Sequence, residues 1–337
     1  MPQGETFLQT AFWGSLKSQF GWKALAFERD FETSEDRYPL LVLLRSLPSG
    51  AFLAYIPHGP QGALGDLHGH ALQRALEDLA DSLKPHLPLR TLFLRFDLPN
   101  FARGAQYFPE PLSSPFRRAH ADIQPPDTVV LDVSLEANTL LGNMKKKTRY
   151  NIKLAQKGDV SYRKGSLEDL ESWYKLYEET GARDKIALHS FEYYRKQFEM
   201  SLTSSQSGGV ELHLLLAYHD NRLIAGNIVL TYGEQGVYLY GASSNHHRNL
   251  MAPYGLQWMG IELCKDRGCK TYDLFGIPPT SAEGHPMHGL YRFKTGFGGE
   301  ILHRLGAWDL PFWPLSYRFY RLVEGLRTWY FKTFRKR

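Results

Sequence analysis

Lys294 has neighbours suited to chemistry. In the stretch YRFKTGFGG, Tyr291 to Gly299, it lies between Phe293 and Phe297 with Gly296, Gly298 and Gly299 beside it. Glycine lets the backbone approach a ligand closely or adopt φ > 0. Flanking rings can stack on bases or exclude water. In a dry pocket a lysine is a fixed charge for a developing oxyanion. The competing reading is a β-bulge that leaves Lys294 in solvent.

A second constellation is basic. KKKTRYNIKLAQKG, Lys145 to Gly158, carries six positive charges and no negative one. As a helix it puts Lys145, Arg149, Lys153 and Lys157 on one stripe, where like charges four residues apart repel. Such a stripe fits phosphates or an RNA backbone, or else is a solvated surface helix. A third stretch, GASSNHHRNLMAPYGLQW from Gly241 to Trp258, reads as a strand end, a polar loop and a helix entry, a usual ligand position in an α/β domain. Pro253 suits a first helical turn and sets Tyr254 at its mouth. His246 and His247 have no third ligand at metal spacing, so no metal is expected. The sequence contains neither a G-x-x-x-x-G-K-[ST] phosphate loop nor a G-x-S-x-G elbow. No Ser or Cys nucleophile has an evident partner, so the expected chemistry needs no covalent protein intermediate.

These residues need a framework, and 337 residues are enough for two domains with separate cores. With 43% hydrophobic and 22% charged residues the chain is of globular type. Its net charge of +5 is unevenly spread. Between Met144 and Lys164, eight Lys or Arg stand against Asp159, and between Trp313 and Arg337, seven stand against Glu324. Two basic patches on an otherwise acidic chain fit anionic partners at two places. Cys264 and Cys269 are too few for a disulfide framework and read as reduced thiols. The N-terminus has neither the basic start nor the apolar core of a signal peptide. YPLLVLLRSLPSGAFLAYIP is broken by Arg45, Pro48 and Gly50, which makes it a hairpin and not a membrane span. A cytoplasmic location is expected.

The periodicity predicts helices over 7–20, 70–83, 135–157 in two pieces, 167–180, 190–202, 252–267 and from 317 onward. Strands are expected at 38–45, 50–56, TLFLRFDLP, TVVLDVS, three antiparallel runs within 211–244, and KTYDLFGI. GLYRFKTGFGGEI reads as a glycine-punctuated loop. The mixed order of elements in both halves argues for two α/β domains.

KKKTRYNIKLAQKG resembles the R-Y-N-I-x-x-A signature of the FemABX family of non-ribosomal peptidyltransferases, and YRFKTGFGG resembles its F-K-x-x-F-G signature. LQTAFWGSLKSQFGW, Leu8 to Trp22, is similar to the family's N-terminal segment. LLRSLPSGAFLAYIPHGP and the Gly241–Trp258 stretch followed by YDLFGI are also similar. The resemblance runs from about residue 8 to 330. It implies two tandem acetyltransferase-like (GNAT) domains, placed here at 1–143 and 144–312, with a C-terminal helix, 313–337, packing back on the first. The short span between Gly165 and Gly208 has no room for a long helical arm, so the chain resembles the compact, single-subunit FemX type.

The resemblance also implies an activity: transfer of an amino acid from aminoacyl-tRNA to the stem peptide of a peptidoglycan precursor, with no cofactor. The family's functional lysine falls on Lys294 and its aromatic neighbour on Phe293. Asp97 in FLRFDLP matches an aspartate near the acceptor amine. The precursor-binding lysine falls on Lys17. A threonine and an arginine at the precursor diphosphate match Thr180 and Arg183, with Arg195 a rival for the second. Tyr240 and Tyr254 match tyrosines of a peptide channel, and Arg149 belongs to the basic stripe. Two alternatives remain: an acyl-CoA-dependent acyltransferase, for which RNLMAP from Arg248 lacks the glycines of a pyrophosphate loop, and a non-catalytic RNA- or membrane-binding protein. The basic aromatic tail, YRFYRLVEGLRTWYFKTFRKR, reads either as an interfacial helix at the inner membrane face or as packing on the first domain with a frayed basic end.

Overall fold

A computed structural model describes residues 6–31, 34–62, 64, 67–103, 109–204 and 209–334. The chain forms two compact units, residues 1–126 with 303–337, and residues 127–302. The first boundary falls at 126/127 and not 143/144. Strand β6 (Asp127–Asp132) pairs with β11 (Thr271–Asp273), which draws residues 127–143 into the second unit.

In the first unit, β1 (Lys23–Phe31), β2 (Ser34–Ser46) and β3 (Phe52–Ile56) form an antiparallel meander. β4 (Thr91–Arg103) runs parallel to β3, and α2 (Gly69–Leu83) makes the crossover. β12 (Glu300–Pro311) lies beside β4, and β5 (Arg117–Arg118) pairs with β12. α2 buries Leu72, Leu76, Leu79, Ala80 and Leu83, one stripe at helical spacing. They pack with Leu94, Phe96 and Leu98 of β4. β1 was not anticipated, because KALAFERDF mixes charge into its alternation. The unit closes with α9 (Pro314–Phe334). Tyr317 and Tyr320 of α9 lie 5.1 and 5.0 Å from the Phe93 ring. The Tyr317 hydroxyl donates to Asp309 at 2.8 Å, and Asp309 takes a bidentate pair from Arg95 at 2.6 and 2.9 Å. Residues 335–337 of the basic end lie outside the described residues.

The second unit has the order β6–β11–β10–β9–β8–β7, with β7 Ser161–Gly165, β8 Glu211–His219, β9 Arg222–Tyr232 and β10 Gln235–Ser243. α7 (Ala252–Asp266) connects β10 to the parallel β11. Leu256, Ile261 and Cys264 of α7 pack on Ala225 and Val229 of β9, together with Ile152 of α4 (Lys146–Lys157). The neighbouring Gly226 faces Trp173 of α5 (Leu170–Asp184), whose indole donates to the Gly226 carbonyl at 3.1 Å. Adjacent strand residues point to opposite faces, so α5 lies across the sheet from α7. α5 and α6 (Phe191–Ser204) have 15 and 14 residues, so no long helical arm is present among the described residues.

α3 (Ala137–Asn143) and α4 are the two helical pieces expected, and Met144, Thr148, Ile152 and Ala155 are buried as their spacing predicts. Leu141 is only partly buried. The glycine-rich segment differs from expectation. Residues His288–Lys294 form a short helix, α8, followed by a 3-10 turn at Thr295–Phe297. Tyr291, Lys294 and Phe297 point inward because helical spacing, and not strand alternation, aligns them.

Candidate functional site

Lys294 is the last residue of α8 and is only 6% exposed, so it does not sit on a solvent-facing bulge. Its Nζ donates to the carbonyl oxygens of Phe275 at 3.0 Å and Gly276 at 2.9 Å. It also lies 5.3 Å from the centre of the Tyr238 ring. Asp273, at the end of β11, arranges those carbonyls. Its Oδ1 accepts from the Phe275 N–H at 2.7 Å and from the Thr128 hydroxyl, and turns the chain so that Phe275 takes φ +58. Burial lowers the Lys294 pKa to about 7 against the pull of the Asp273 charge, which favours the ammonium. An ammonium has three N–H donors. Two are engaged by carbonyls, and no acceptor meets the third among the described residues.

The glycines after Lys294 carry out packing. A Cβ on Gly299, at φ +85, would stand 2.6 Å from the Val130 carbonyl, and one on Gly298, at φ +81, 2.9 Å from the Asn143 carbonyl. The Lys145 N–H donates to the Gly296 carbonyl at 2.9 Å, and the Lys145 ammonium reaches the Thr295 hydroxyl at 3.4 Å. The basic helix and the lysine turn, far apart in sequence, therefore form one packed piece. Phe293 is half-buried, with its ring 5.0 Å from Tyr254 at the start of α7 and 5.2 Å from Phe297.

The basic stripe divides by role. Lys145, Lys146, Lys147, Lys153 and Lys157 are exposed. Arg149 is half-buried, and one guanidinium nitrogen donates to the carbonyls of Leu141, Gly142 and Met144 at 3.2, 3.1 and 2.5 Å. It caps the end of α3, where a cation complements the exposed carbonyls.

A second group of sequence-selected residues meets at the end of β10. The Thr180 hydroxyl accepts from the Ser243 N–H at 2.9 Å and lies 3.1 Å from the Ser243 carbonyl. Arg183 donates to the same carbonyl at 2.7 Å and to Asn245 Oδ1 at 3.1 Å. The Glu179 carboxylate takes the Asn245 N–H at 2.6 Å. Arg195, the rival, points elsewhere: on α6 it pairs with Glu192 and Glu199 at 3.5 and 3.1 Å. Tyr240 lies 5.1 Å from Tyr194 and 6.0 Å from Tyr177, and burial raises its phenol to about 12. A register shift between Tyr238 and Tyr240 turns them to opposite faces, Tyr238 toward Lys294 and Tyr240 toward α5 and α6.

In the first unit, Asp97 is 1% exposed on β4. Its Oδ2 accepts from the Tyr55 hydroxyl at 2.8 Å and the Gln124 N–H at 3.3 Å. Burial raises its carboxyl to about 7 against the Tyr55 bond, which favours the anion. Lys17 is half-buried in α1 (Ala11–Ser18), 4.6 Å from the Trp13 ring; burial, then the charge of Arg45, lower its pKa to about 8. Among the described residues no group of three His, Cys, Asp or Glu could hold a metal.

Sequence reasoning missed Tyr238, Asp273 and the two carbonyls that hold Lys294. Asp273, midway along KTYDLFGI with Gly276 three residues on, was the available signal for a turn at the strand's carboxyl end. The carbonyls have none, since every residue carries one.

The sequence model of the FemAB family matches residues 114–203 and 202–325. Among curated relatives, the lipid II:glycine glycyltransferase of Staphylococcus saprophyticus is 22% identical over 97% of this chain and 92% of its own. That of Staphylococcus aureus strain COL is 21% identical over the same shares. A crystal structure of FemX superposes with a TM-score of 0.75 over 95% of both chains at 18% identity, a likeness of fold.

Proposed function

The chain belongs to the FemAB family, and from that premise we propose that it is an aminoacyl-tRNA-dependent aminoacyltransferase. The acceptor is the stem-peptide amine of a peptidoglycan precursor. The names of its curated relatives support a lipid II-type acceptor. The observation that carries the mechanism is Lys294: a buried lysine held by two backbone carbonyls, with one N–H uncommitted among the described residues.

The reaction is aminolysis of an ester. The amine attacks the aminoacyl carbonyl and an oxyanion forms. The C–O bond to the ribose then breaks, and the amide remains. The ester is already activated, so no cofactor enters. Lys294 donates its third N–H to the oxyanion, and donors preorganised where charge develops contribute on the order of 3 kcal/mol. Holding the two reactants together contributes roughly 7–11 kcal/mol more. The proton of the attacking amine passes either to Asp97, the carboxylate that the resemblance offers and whose pKa burial raises to about 7, or to a group of the substrate itself. In the alternative role the Lys294 N–H protonates the departing ribose oxygen; when it serves the oxyanion, the proton released by the amine ends on that ribose oxygen.

The remaining residues bind. Phe293 stacks on the terminal adenine of the tRNA. Lys17 in the first unit, and separately Thr180 and Arg183 in the second, are precursor-binding residues, and Tyr254 lines the path of the stem peptide, whereas Tyr240 is turned to the α5 and α6 face of the sheet, away from Lys294. The exposed lysines of α4 neutralise tRNA phosphates, and Arg149 positions that helix through its bonds to α3. A cytoplasmic enzyme, with peripheral contact at the membrane open to it, is the location this reading of the substrates supports.

The test incubates the purified full chain with a mixed aminoacyl-tRNA pool and either UDP-MurNAc-pentapeptide or lipid II, and reads the mass of the product. Addition of one or more amino-acid residues that disappears after ribonuclease treatment is the expected result. No addition to either acceptor would overturn the proposal.

A further inference from the structure

Helix α9 presents an outward apolar face. Leu315, Phe319, Leu322, Val323 and Leu326 recur at spacings of four, three, one and three residues and are 48–80% exposed. That spacing is one face of a helix. Trp313, just before it, is 54% exposed. The opposite face carries Tyr317 and Tyr320 against Phe93. Packing on the unit is therefore complete without the outer stripe. Contiguous exposed apolar surface of this kind marks an interaction site.

The charges around the stripe indicate what covers it. Glu324 is the lone acidic residue between Trp313 and Arg337, and it faces inward. It accepts from the Tyr320 hydroxyl at 2.9 Å and stands 3.8 Å from the Arg95 guanidinium. Arg318 is exposed beside the stripe, and the sequence continues through Trp329, Tyr330 and Phe331 with Arg327, Lys332, Arg335, Lys336 and Arg337. An apolar strip with Arg318 exposed beside it, its helix's acidic residue turned inward and a basic sequence after it matches an anionic lipid surface, whose acyl boundary takes Phe319 and the leucines and whose headgroups take the cations. A second copy would bring a like-charged face, which electrostatics opposes. No helix among the described residues is long and apolar enough to cross a membrane, so α9, roughly 31 Å long at 1.5 Å per residue, is suited to lie in the interface plane.

We propose that the outer face of α9, centred on Phe319 and Leu322, seats this protein on an anionic bilayer. This goes beyond the reading of the activity and is testable without it. Vesicles of phosphatidylcholine alone and of phosphatidylcholine with phosphatidylglycerol are floated with the full chain. The wild type should float with the anionic vesicles, less at high salt, and stay behind with the neutral ones. The variant F319E/L322E should lose at least about tenfold in partitioning, since apolar area is removed and repulsive charge added. Its far-UV dichroism and its transfer to a water-soluble precursor should match wild type. Wild-type protein that ignores anionic vesicles, or a variant that binds as well as wild type, would overturn the proposal. So would a wild-type dimer in light scattering that the variant dissolves, because the face would then cover a second copy.

Discussion

The Lys294 ammonium lies 2.9 Å from the carbonyl oxygen of Gly276, a residue in the loop that follows β11. The side chain that ends α8 is thus aimed by the backbone of another element, and the aim depends on Asp273 turning the chain between them. A lysine gripped in this way gives up conformational freedom during folding and not during the reaction.

Lys294→Met should separate catalysis from stability. Turnover should fall at least about 100-fold, the effect of removing one oxyanion donor, while binding of the precursor is retained. The melting temperature should fall by only a few degrees, because removal of the buried charge partly offsets the Phe275 and Gly276 carbonyls left without a donor. Steady-state kinetics and calorimetry on one preparation measure both, and near-wild-type turnover would remove Lys294 from the mechanism.

The pH dependence of stability follows from the same residue. Its pKa is lowered from 10.5 to about 7, so between those values the unfolded chain holds a proton that the folded chain has released. Unfolding free energy then rises with pH across that window. Lys17, lowered to about 8, adds a slope of the same sign over a narrower range. Asp97, raised from 3.8 to about 7, has the opposite effect: the folded chain keeps the extra proton and stability falls as pH rises between those values. Denaturant titrations should show Lys294→Met flattening the slope above about pH 7 and Asp97→Asn flattening the one below. Unchanged slopes in both variants would contradict the burial of these groups.

Arg183 and Arg195 should part company in kinetics. Arg183 pairs with Asp184 on its own helix at 3.0 Å and also reaches the end of β10 through Ser243 and Asn245, whereas Arg195 pairs with Glu192 and Glu199 on its own helix. Arg183→Ala should raise KM for the precursor by roughly tenfold or more, the worth of one hydrogen bond to a charged group. Arg195→Ala should leave KM within about twofold, as expected of an exposed pair. The reverse ranking would move the diphosphate site to α6.

Gly299→Ala tests the seat of the lysine turn. The added methyl meets the Val130 carbonyl at 2.6 Å and demands φ +85 of an alanine. A loss of about 2–3 kcal/mol is expected in urea denaturation, the range for backbone strain with a steric clash. Gly284→Ala, where a Cβ meets nothing within 4 Å, is the control.

The sequence alone determined the kinds of groups available. Helical spacing marked Thr148, Ile152 and Ala155 as the buried side of α4, and burial follows spacing because a helix repeats every 3.6 residues whatever lies around it. The resemblance singled out Lys294 and Phe293 by their order along the chain. Their environment came only with the tertiary structure. The segment read as a loop is α8, because the apolar signal of seven residues is too short to separate from irregular chain. Two carbonyls from a distant loop decide where the lysine points. A one-residue register shift in β10 decides that Tyr238 and Tyr240 serve opposite faces, which strict strand alternation would deny. Arg149 looked like one more cation of a stripe until the end of α3 was placed beneath it. Local periodicity is written residue by residue, whereas the direction of a side chain is set by what the fold brings against it from elsewhere.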